Sequence, residues 1–358
     1  MPSVHLPPWI ARQAAELLAR PGHAWLLQGP SGLGQFELAL ALAAAWLCDA
    51  PTPQGACGQC PGCHSLHVHT HADFVMLMPE THMLERGWPL PEKAQAEIDE
   101  KKRKPSKEIR VDAMREAIEF AQRTSARGRG KAMLIYPAER MNAVTANALL
   151  KTLEEPPGDM RFVLATEAAH LLLPTIRSRC LTHTLRWPDA AEALQWLAAC
   201  GVHEAAAGAL LQAAGGRPAA ALQLARSAES QAEARTTARK AKPAFDDGQQ
   251  AAAAWARLPK ALVQGDASAL ASLPTAEIVA RLQKLCADLM AAQTGAPPRF
   301  FAAADLPARP LPLPALAKWW GQLAQAARSA EHPLNAGLTL EYLASSARQA
   351  LNSAKATN

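Results

Sequence analysis

Four cysteines lie close together in the sequence, at Cys48, Cys57, Cys60 and Cys63. The last three have Cys-x2-Cys spacing, which allows a tight turn to present two thiolates to one metal ion. Zn²⁺ prefers tetrahedral thiolate or imidazole ligands, and a structural zinc site takes all four ligands from the protein. The spacing therefore predicts a structural zinc module over residues 48–63, with no open position for catalysis.

The other cysteines and the nearby histidines bear on this prediction. The sequence contains seven cysteines, and an odd number without an export signal argues against a disulfide framework. Cys200 and Cys286 are expected to be buried thiols. Four histidines that follow the cluster are expected to be surface residues or alternative ligands: His64, His67, His69 and His71.

A glycine-rich segment between a predicted strand and a predicted helix has the spacing of a phosphate-binding loop. It contains Gly29, Gly32 and Gly34, and such a loop holds phosphates with backbone N–H groups at a helix N-terminus. An active loop continues with a lysine for the terminal phosphates and a Ser or Thr for Mg²⁺. Gln35 and Phe36 occupy these two places, so the loop should bind nucleotide weakly or not at all.

The acidic half of an ATPase site is also missing. The candidate strand 132–135 is followed by Tyr136 and Pro137, where carboxylates would hold Mg²⁺ and polarise water. Because several independent requirements fail together, the sequence indicates that this chain does not hydrolyse ATP.

Short apolar strands alternate with helices in the first half of the chain, which predicts a parallel sheet covered on both faces. The predicted strands are 24–27, 73–78, 132–136, 162–166 and 181–185, and the main predicted helices are 5–20, 36–46, 111–123 and 144–154. After Pro188 only helices are expected: 190–199, 204–214, one that opens at 215–218, 251–262, 275–293, 316–329 and 338–351. The polar segment 227–247 between them reads as a linker or a solvated helix end.

The stretch Pro79–Lys107 interrupts the alternating pattern and is rich in proline and charge. Its basic run Lys101–Lys104 fits either a nucleic-acid patch or a solvated insertion. Blocks of like charge are usually solvated, so the solvated insertion is favoured.

Composition restricts the class of protein. The chain has 358 residues, 49% of them hydrophobic, and a formal charge of +5, which excludes intrinsic disorder. No unbroken apolar run reaches the roughly 20 residues that a membrane span needs. The N-terminus lacks the basic and apolar regions of a secretory signal, so a cytoplasmic location is expected.

The motifs and their order resemble those of the bacterial clamp-loader AAA+ subunits. The resemblance rests on Gly-Pro-Ser-Gly-Leu-Gly at 29–34, the cysteine module, Asn147–Pro157 and Ser178-Arg179-Cys180. The missing lysine and acids make the chain similar to the family's non-hydrolysing member and not to the gamma/tau subunit. Toward the C-terminus, His332–Asn335 is similar to the family's last helical region.

The resemblance implies an α/β AAA+ P-loop domain with a parallel sheet over residues 1–187. This domain would carry the zinc module at 48–63 and an insertion at 79–107. A small helical lid domain would follow at 188–228, and an all-α collar at 245–358 would mediate oligomerisation.

The resemblance also implies a function. The chain would be a rigid stator in a hetero-pentamer with gamma/tau and delta subunits. It would donate Arg179 to a neighbour's ATP site, with Arg177 as the rival arginine. The complex, not this chain, would use ATP to load the sliding β clamp onto primed DNA. Thr166 matches the family's polar sensor position, whereas Arg217 is shifted by one place and Pro218 occupies the second sensor position.

Two other functions are alternatives to this one. A divergent active ATPase of the gamma/tau type would need a substitute lysine such as Lys131. A zinc-dependent DNA-binding protein would use the cysteine module together with Lys101–Lys107.

Overall fold

A five-stranded sheet forms the centre of the first compact unit, which ends at Pro188. The computed structural model of the chain describes residues 6–226, 247–330 and 335–353. The strands are β1 (Ala24–Gln28), β2 (Phe74–Leu77), β3 (Lys131–Ile135), β4 (Met160–Thr166) and β5 (Leu181–Thr184), in the spatial order β2-β3-β4-β1-β5. All neighbouring strands are parallel, so the predicted parallel sheet is confirmed.

Helices flank the sheet, and most residues of its central strands are buried. They are α1 (Pro8–Leu18), α2 (Gln35–Leu47), α3 (Pro61–His67), α4 (Glu80–Glu85), α5 (Glu92–Asp99), α6 (Val111–Gln122), α7 (Ala143–Glu154) and α8 (Pro174–Arg177). Helix α2 packs against β3 and β4, while α6 contacts β2 and α7. One core joins residues of β3 and β4, such as Met133 and Phe162, to residues of α6 and α7, such as Met114 and Leu149.

The parallel register gathers the functional segments at defined edges of the sheet. Gln28 pairs with Thr166, and Ile135 pairs with Leu164. The phosphate loop after β1, Tyr136 after β3 and the end of β4 therefore share the carboxyl edge. Ligands of open α/β sheets bind at this edge, while residues that precede the strands lie at the opposite, amino edge.

The second compact unit begins at Asp189 and, among its described residues, contains helices and no strand. These are α9 (Ala190–Ala199), α10 (Glu204–Ala213), α11 (218–226), α12 (Asp247–Gln264), α13 (Thr275–Gln293), α14 (Leu313–Ser329) and α15 (Ala336–Asn352). The predicted all-helical second half is therefore confirmed over the described residues. None of the described helices is long and apolar enough to cross a membrane.

Two hydrophobic cores form within this second unit. One is built by α9, α10 and α11, and the other mainly by α12 to α15. The lid at 188–228 and the collar at 245–358 stay predictions. Residues 227–246 of the expected linker at 227–247, and His332–Leu334, lie outside the described residues.

A buried carboxylate organises the amino edge of the sheet in the first unit. Asp73 is only 1% exposed. Its oxygens accept hydrogen bonds from the backbone N–H of Ala126 at 2.7 Å, the N–H of Arg127 at 2.9 Å and the Oγ of Ser125 at 3.0 Å. Burial alone would raise the pKa of Asp73, but these hydrogen bonds outweigh burial and lower it. Asp73 thus fixes the loop that leads into β3.

We expect Asp73→Asn to lower the free energy of unfolding by about 2–4 kcal/mol at pH 7, because an amide nitrogen would face backbone donors. The pKa of Asp73 is lower in the folded chain than its ordinary value of 3.8. Its stabilising effect is therefore complete above that value and is lost as the pH falls through the folded pKa. The difference between wild type and variant in urea unfolding should shrink below pH 3.8.

Asp112→Asn is the matched control, because Asp112 lies on the exposed surface of α6 with a single ion pair at 3.5 Å. It should change stability by less than about 0.5 kcal/mol. Equal losses for the two variants would contradict a special role for Asp73.

Candidate functional site

The predicted phosphate loop lies at the carboxyl edge, between β1 and α2. Gly34 is the residue before α2 and has a φ of 108°. A Cβ at this position would lie 2.8 Å from Cδ1 of Ile10, so both conformation and space require glycine. Gly32 is also left-handed, with a φ of 82°, and the N–H of Gly29 donates to the carbonyl of Thr166 at 3.3 Å.

Gln35 occupies the place of the lysine and turns its side chain into the loop. It is 2% exposed. Its Nε2 donates to the carbonyl oxygens of Gly29 at 2.5 Å and of Pro30 at 2.8 Å. A neutral amide cannot supply the charge that an ammonium brings to terminal phosphates, and this one is already bonded to the loop.

The two residues in the predicted metal-binding places are packed against each other. The ring centroids of Phe36 and Tyr136 are 5.3 Å apart. The guanidinium of Arg86 lies 4.3 Å from the Phe36 centroid and 5.1 Å from the Tyr136 centroid. Its Nη2 donates to the Tyr136 hydroxyl at 3.4 Å. Two rings and a cation therefore stand where a hydroxyl and a carboxylate would hold Mg²⁺.

The remaining polar groups at this edge are bonded to one another. The Tyr136 hydroxyl donates to Oε1 of Glu167 at 2.9 Å, and burial raises the pKa of Tyr136, as does the neighbouring Glu167 carboxylate. Thr166, the predicted sensor, donates through Oγ1 to Oε2 of Glu139 at 2.7 Å. The N–H of Glu167 donates to the other oxygen of Glu139 at 3.1 Å. Glu139 thus serves this strand end as a hydrogen-bond acceptor.

The four predicted zinc ligands form one cluster. Cys48 Sγ lies 3.5 Å from that of Cys57, 3.8 Å from that of Cys60 and 3.6 Å from that of Cys63, and Cys57 and Cys63 are 3.9 Å apart. All four sulfur atoms lie within 4.8 Å of one another. Tetrahedral zinc with Zn–S bonds of about 2.3 Å requires S···S separations of about 3.8 Å. The arrangement of the four sulfur atoms fits a site in which four thiolates bind one metal ion.

Backbone N–H groups support negative charge on the cluster. Those of Asp49, Cys60 and Cys63 lie 3.3–3.4 Å from cysteine sulfur atoms. Hydrogen bonds from the backbone at Gln59 and Cys60 lower the pKa of Cys57 to about 6, whereas burial raises the pKa of Cys48 and of Cys63. Metals bind the thiolate form of cysteine, so this donation favours metal binding.

An ion pair connects the cluster to the amino edge of the sheet. Asp49, next to Cys48, accepts hydrogen bonds from Nη2 of Arg127 at 2.7 Å and from the N–H of Gly62 at 3.0 Å. Arg127 lowers the pKa of Asp49 to about 2. The backbone of Arg127 is itself held by Asp73. The cysteine cluster is therefore attached to the sheet through side chains as well as through the main chain.

The neighbouring histidines differ in their surroundings: His64 and His67 are exposed on α3, as expected, whereas His71 is buried. His69 stacks on Trp88, with 3.7 Å between the ring centroids, and Nδ1 of His71 accepts the N–H of Asp73 at 3.1 Å. Among the described residues, the metal-ligand cluster consists of the four cysteines alone.

Arg179 lies between α8 and β5, and its side chain is 30% exposed. Its Nη2 and Nε donate to Oε2 of Glu154 at 3.0 Å and 3.2 Å, and its Nη1 donates to the carbonyl of Thr175 at 3.0 Å. Glu154 is 60% exposed. The guanidinium is therefore oriented by groups of its own chain but remains reachable from solvent.

Other basic residues named by the sequence lie in different settings. Lys131 is 5% exposed at the start of β3, and its ammonium donates to the carbonyl of Phe120 at the amino edge. It is thus on the opposite edge from the phosphate loop, which excludes it as the substitute lysine. Nε of Arg217 donates to the carbonyl of Ala214 at 2.7 Å, and Pro218 begins α11.

The insertion at 79–107 is largely exposed but has helical structure and a partly buried ion pair. It contains α4 and α5, and Arg103 donates to Glu80 at 2.5 Å and 2.8 Å and to Glu97 at 2.7 Å. The lysines at 101, 102 and 104 are exposed, as expected. Arg103, in contrast, is withdrawn from the basic run, which weakens the case for a nucleic-acid patch.

Sequence reasoning missed several partners of the candidate sites. Arg86, Asp49 and Glu154 meet residues that are 50, 78 and 25 positions away in the chain. No local spacing indicates such pairs. Only Glu154 stood in a recognised motif, Asn147–Pro157.

The chain is similar in sequence to subunits of DNA polymerase III. Residues 13–189 match the family model described as DNA polymerase III, delta subunit. The delta' subunit of DNA polymerase III from Pseudomonas aeruginosa is 41% identical over 180 residues, which are 50% of this chain and 48% of that protein. The delta' subunit of Escherichia coli K12 is 34% identical over 223 residues, 61% of this chain and 60% of that protein.

A tau subunit of DNA polymerase III, from Salmonella typhimurium, is 32% identical over 172 residues, 48% of this chain and 23% of that protein. The chain thus spans about half to three fifths of the length of the delta' relatives described above. The residues matched to the family model contain the phosphate loop, the cysteine cluster and Ser178-Arg179-Cys180. Residues 13–189, which contain the five-stranded parallel sheet, match the DNA polymerase III delta-subunit family model, and this part of the chain is homologous to the delta' subunits of DNA polymerase III.

Proposed function

We propose that the chain is a non-hydrolytic stator subunit of the DNA polymerase III clamp loader. It works in the cytoplasm in a hetero-pentamer with gamma/tau and delta subunits. The complex hydrolyses ATP, opens the sliding β clamp and closes it around primed DNA. This chain contributes a fixed framework and one arginine, Arg179, which completes the ATP site of a neighbouring subunit.

The side chains at the phosphate loop are the main support for the proposal that the chain does not hydrolyse ATP. Phosphoryl transfer depends on positioned cations, because charge on the transferred group must be stabilised. At this loop Gln35 is neutral and bonded to the loop backbone. Phe36 and Tyr136 present rings where Mg²⁺ ligands are needed. The Gly29, Gly32 and Gly34 cradle alone leaves weak nucleotide binding or none.

The position of Arg179 supports a role in trans. It precedes β5, whose Leu181 pairs with Trp25 near the start of β1, whereas the chain's own phosphate loop follows the end of β1. At about 3.3 Å per residue the two edges are roughly 10 Å or more apart. Arg179 is therefore remote from its own loop, and its guanidinium is available to the γ-phosphate of a neighbour.

The cysteine cluster is assigned to structural zinc. Cys48, Cys57, Cys60 and Cys63 supply all four ligands, so no coordination position is left for a substrate or water. A bound zinc ion would cross-link α2, the following turn and α3. The Asp49–Arg127 ion pair would connect the zinc-bound segment to the amino edge of the sheet.

The second unit is assigned to assembly. Its α9–α11 core corresponds to the lid at 188–228, and its larger α12–α15 core to the oligomerising collar at 245–358. Several large apolar side chains on the collar helices are exposed in the single chain, including Trp320, Leu338 and Tyr342.

The purified chain should show no Mg²⁺-dependent ATP hydrolysis above background, because it lacks both the lysine and the metal ligands of an active site. Phosphate release measured with a gamma/tau subunit as the positive control checks this. Turnover by the chain that disappears in Gly34→Val would instead support the divergent ATPase.

Arg179→Ala should leave assembly of the reconstituted complex intact but reduce its ATPase. An arginine supplied in trans is worth on the order of 10³ in turnover at the site that it serves. Sites served by other subunits continue, so the total rate should fall by the share of one site. Steady-state ATPase and size-exclusion chromatography on the same sample measure both properties.

Arg177→Ala is the matched control, because this exposed arginine stands two residues earlier, at the end of α8. It should leave complex turnover unchanged. Unchanged complex turnover with Arg179→Ala, or an equal fall with Arg177→Ala, would contradict the proposed role of Arg179 in a neighbour's ATP site.

Cys60→Ser should abolish stoichiometric zinc binding and destabilise the first unit, since three thiolates and a hydroxyl form a much weaker zinc site. Elemental analysis and thermal unfolding of the wild type and variant measure the two effects. Cys200→Ser, which changes a cysteine in the second unit, should retain the metal. Wild-type protein purified without zinc would contradict the assignment whatever the variants do.

A further inference from the structure

We propose that the insertion at 79–107 is an internal lock on the phosphate loop, with the guanidinium of Arg86 in the place where an active ATPase binds Mg²⁺. The inference deepens the proposed non-hydrolytic function and rests on it. It assigns a role to a segment that the family resemblance left without one.

The contacts of Arg86 are those of a bound cation. The guanidinium lies over two aromatic rings, 4.3 Å from the centroid of Phe36 and 5.1 Å from that of Tyr136. Both rings are nearly buried, with 8% and 6% exposed. A cation over an aromatic face is attracted by the negative π-surface, more strongly where water is partly excluded. The side chain of Arg86 is only 35% exposed.

Carboxylates complete the surroundings of this cation. Oε1 of Glu37, in the first turn of α2, lies 4.0 Å from Nη1 of Arg86. Glu167 accepts the hydroxyl proton of Tyr136 at 2.9 Å, and that hydroxyl also accepts from Arg86. The carboxyl edge therefore contains a fixed positive charge between acidic groups. An incoming Mg²⁺–nucleotide would have to displace Arg86 and separate the two rings.

A partly buried ion pair holds the helix that presents Arg86. Arg86 directly follows α4, and Glu80 begins α4. Glu80 accepts hydrogen bonds from Arg103 at 2.5 Å and 2.8 Å and from the N–H of Ser106 at 2.8 Å. The side chains of Arg103 and Glu80 are only 23% and 10% exposed. Bidentate charge-assisted pairs of this kind fix geometry strongly.

The other side of Arg86 is fixed by an aromatic contact. Trp88 is 8% exposed. It stacks on His69 with 3.7 Å between centroids and packs near Phe74 of β2 at 6.0 Å. Arg86 thus stands between two anchored points, the Glu80–Arg103 pair and Trp88. The insertion can therefore hold the guanidinium in place and keep the loop in one conformation.

Hydrogen–deuterium exchange of the full chain tests this role. In Arg86→Ala, exchange of the backbone amides of residues 29–36 should become about tenfold faster, because losing a cation–π cluster shifts the opening equilibrium by about that factor. Arg103→Ala, which removes the anchor without touching the loop, should also speed exchange there. Arg115→Ala is the matched control, since Arg115 is exposed on α6 and pairs with Asp112 at 3.5 Å.

Unchanged exchange at residues 29–36 in Arg86→Ala, or an equal increase in Arg115→Ala, would overturn the proposal. Normal loop protection in a folded Arg103→Ala would overturn the part assigned to the anchor. These measurements need neither ATP turnover nor partner subunits. These results can therefore contradict the proposed role of Arg86 without contradicting the proposed role of Arg179 at a neighbouring subunit.

A second measurement asks whether Arg86 obstructs nucleotide. Gln35→Lys with Phe36→Thr restores the lysine and the hydroxyl of an active loop. Binding of a fluorescent ATP analogue with Mg²⁺ should be about tenfold tighter when Arg86→Ala is added than when Arg115→Ala is added. Equal binding in the two triple variants, or binding in neither, would show that Arg86 is not the obstacle.

Discussion

The parallel alignment of the five strands is the constraint on which both candidate sites depend. Because every strand runs in the same direction, segments that follow strands meet at one edge and segments that precede strands meet at the other. The phosphate loop, Tyr136 and Thr166 share the carboxyl edge. Arg179 and the Asp73 loop lie at the amino edge. An antiparallel sheet would mix these two sets.

The substitutions at the carboxyl edge are physically coupled. Gln35 satisfies carbonyls of its own loop, Phe36 packs on Tyr136, and Arg86 contacts both rings. Residues in direct contact do not contribute independently to stability or binding. Restoring a single ATPase residue would therefore leave the rest of the packed cluster in place. The region forms a consistent alternative arrangement of side chains, which differs from an active site that has merely lost one group.

Features that are encoded by a few neighbouring residues could be predicted from the sequence. Apolar runs located the strands, glycine spacing located the loop, and Cys-x2-Cys spacing located the thiolate cluster, because each signal is confined to a few neighbouring residues. The Arg86 contacts, the Glu80–Arg103 pair and the Asp49–Arg127 pair escaped prediction, since charged residues are common and their partners are distant in sequence. The ion pair inside the insertion escaped prediction for the same reason. The basic run of the insertion suggested solvation, and only the fold brings Arg103 to a nearly buried Glu80.

The pairing of Arg179 with Glu154 is compatible with a role in another subunit's site. Exposed ion pairs contribute about 0–1 kcal/mol, and Glu154 is 60% exposed, so exchanging this carboxylate for a phosphate costs little. The hydrogen bond to the Thr175 carbonyl involves a different guanidinium nitrogen and can persist during the exchange. In the proposed role, the chain would orient the arginine before assembly while binding it weakly. A buried, fully paired arginine at this position would be held too tightly to serve a neighbour.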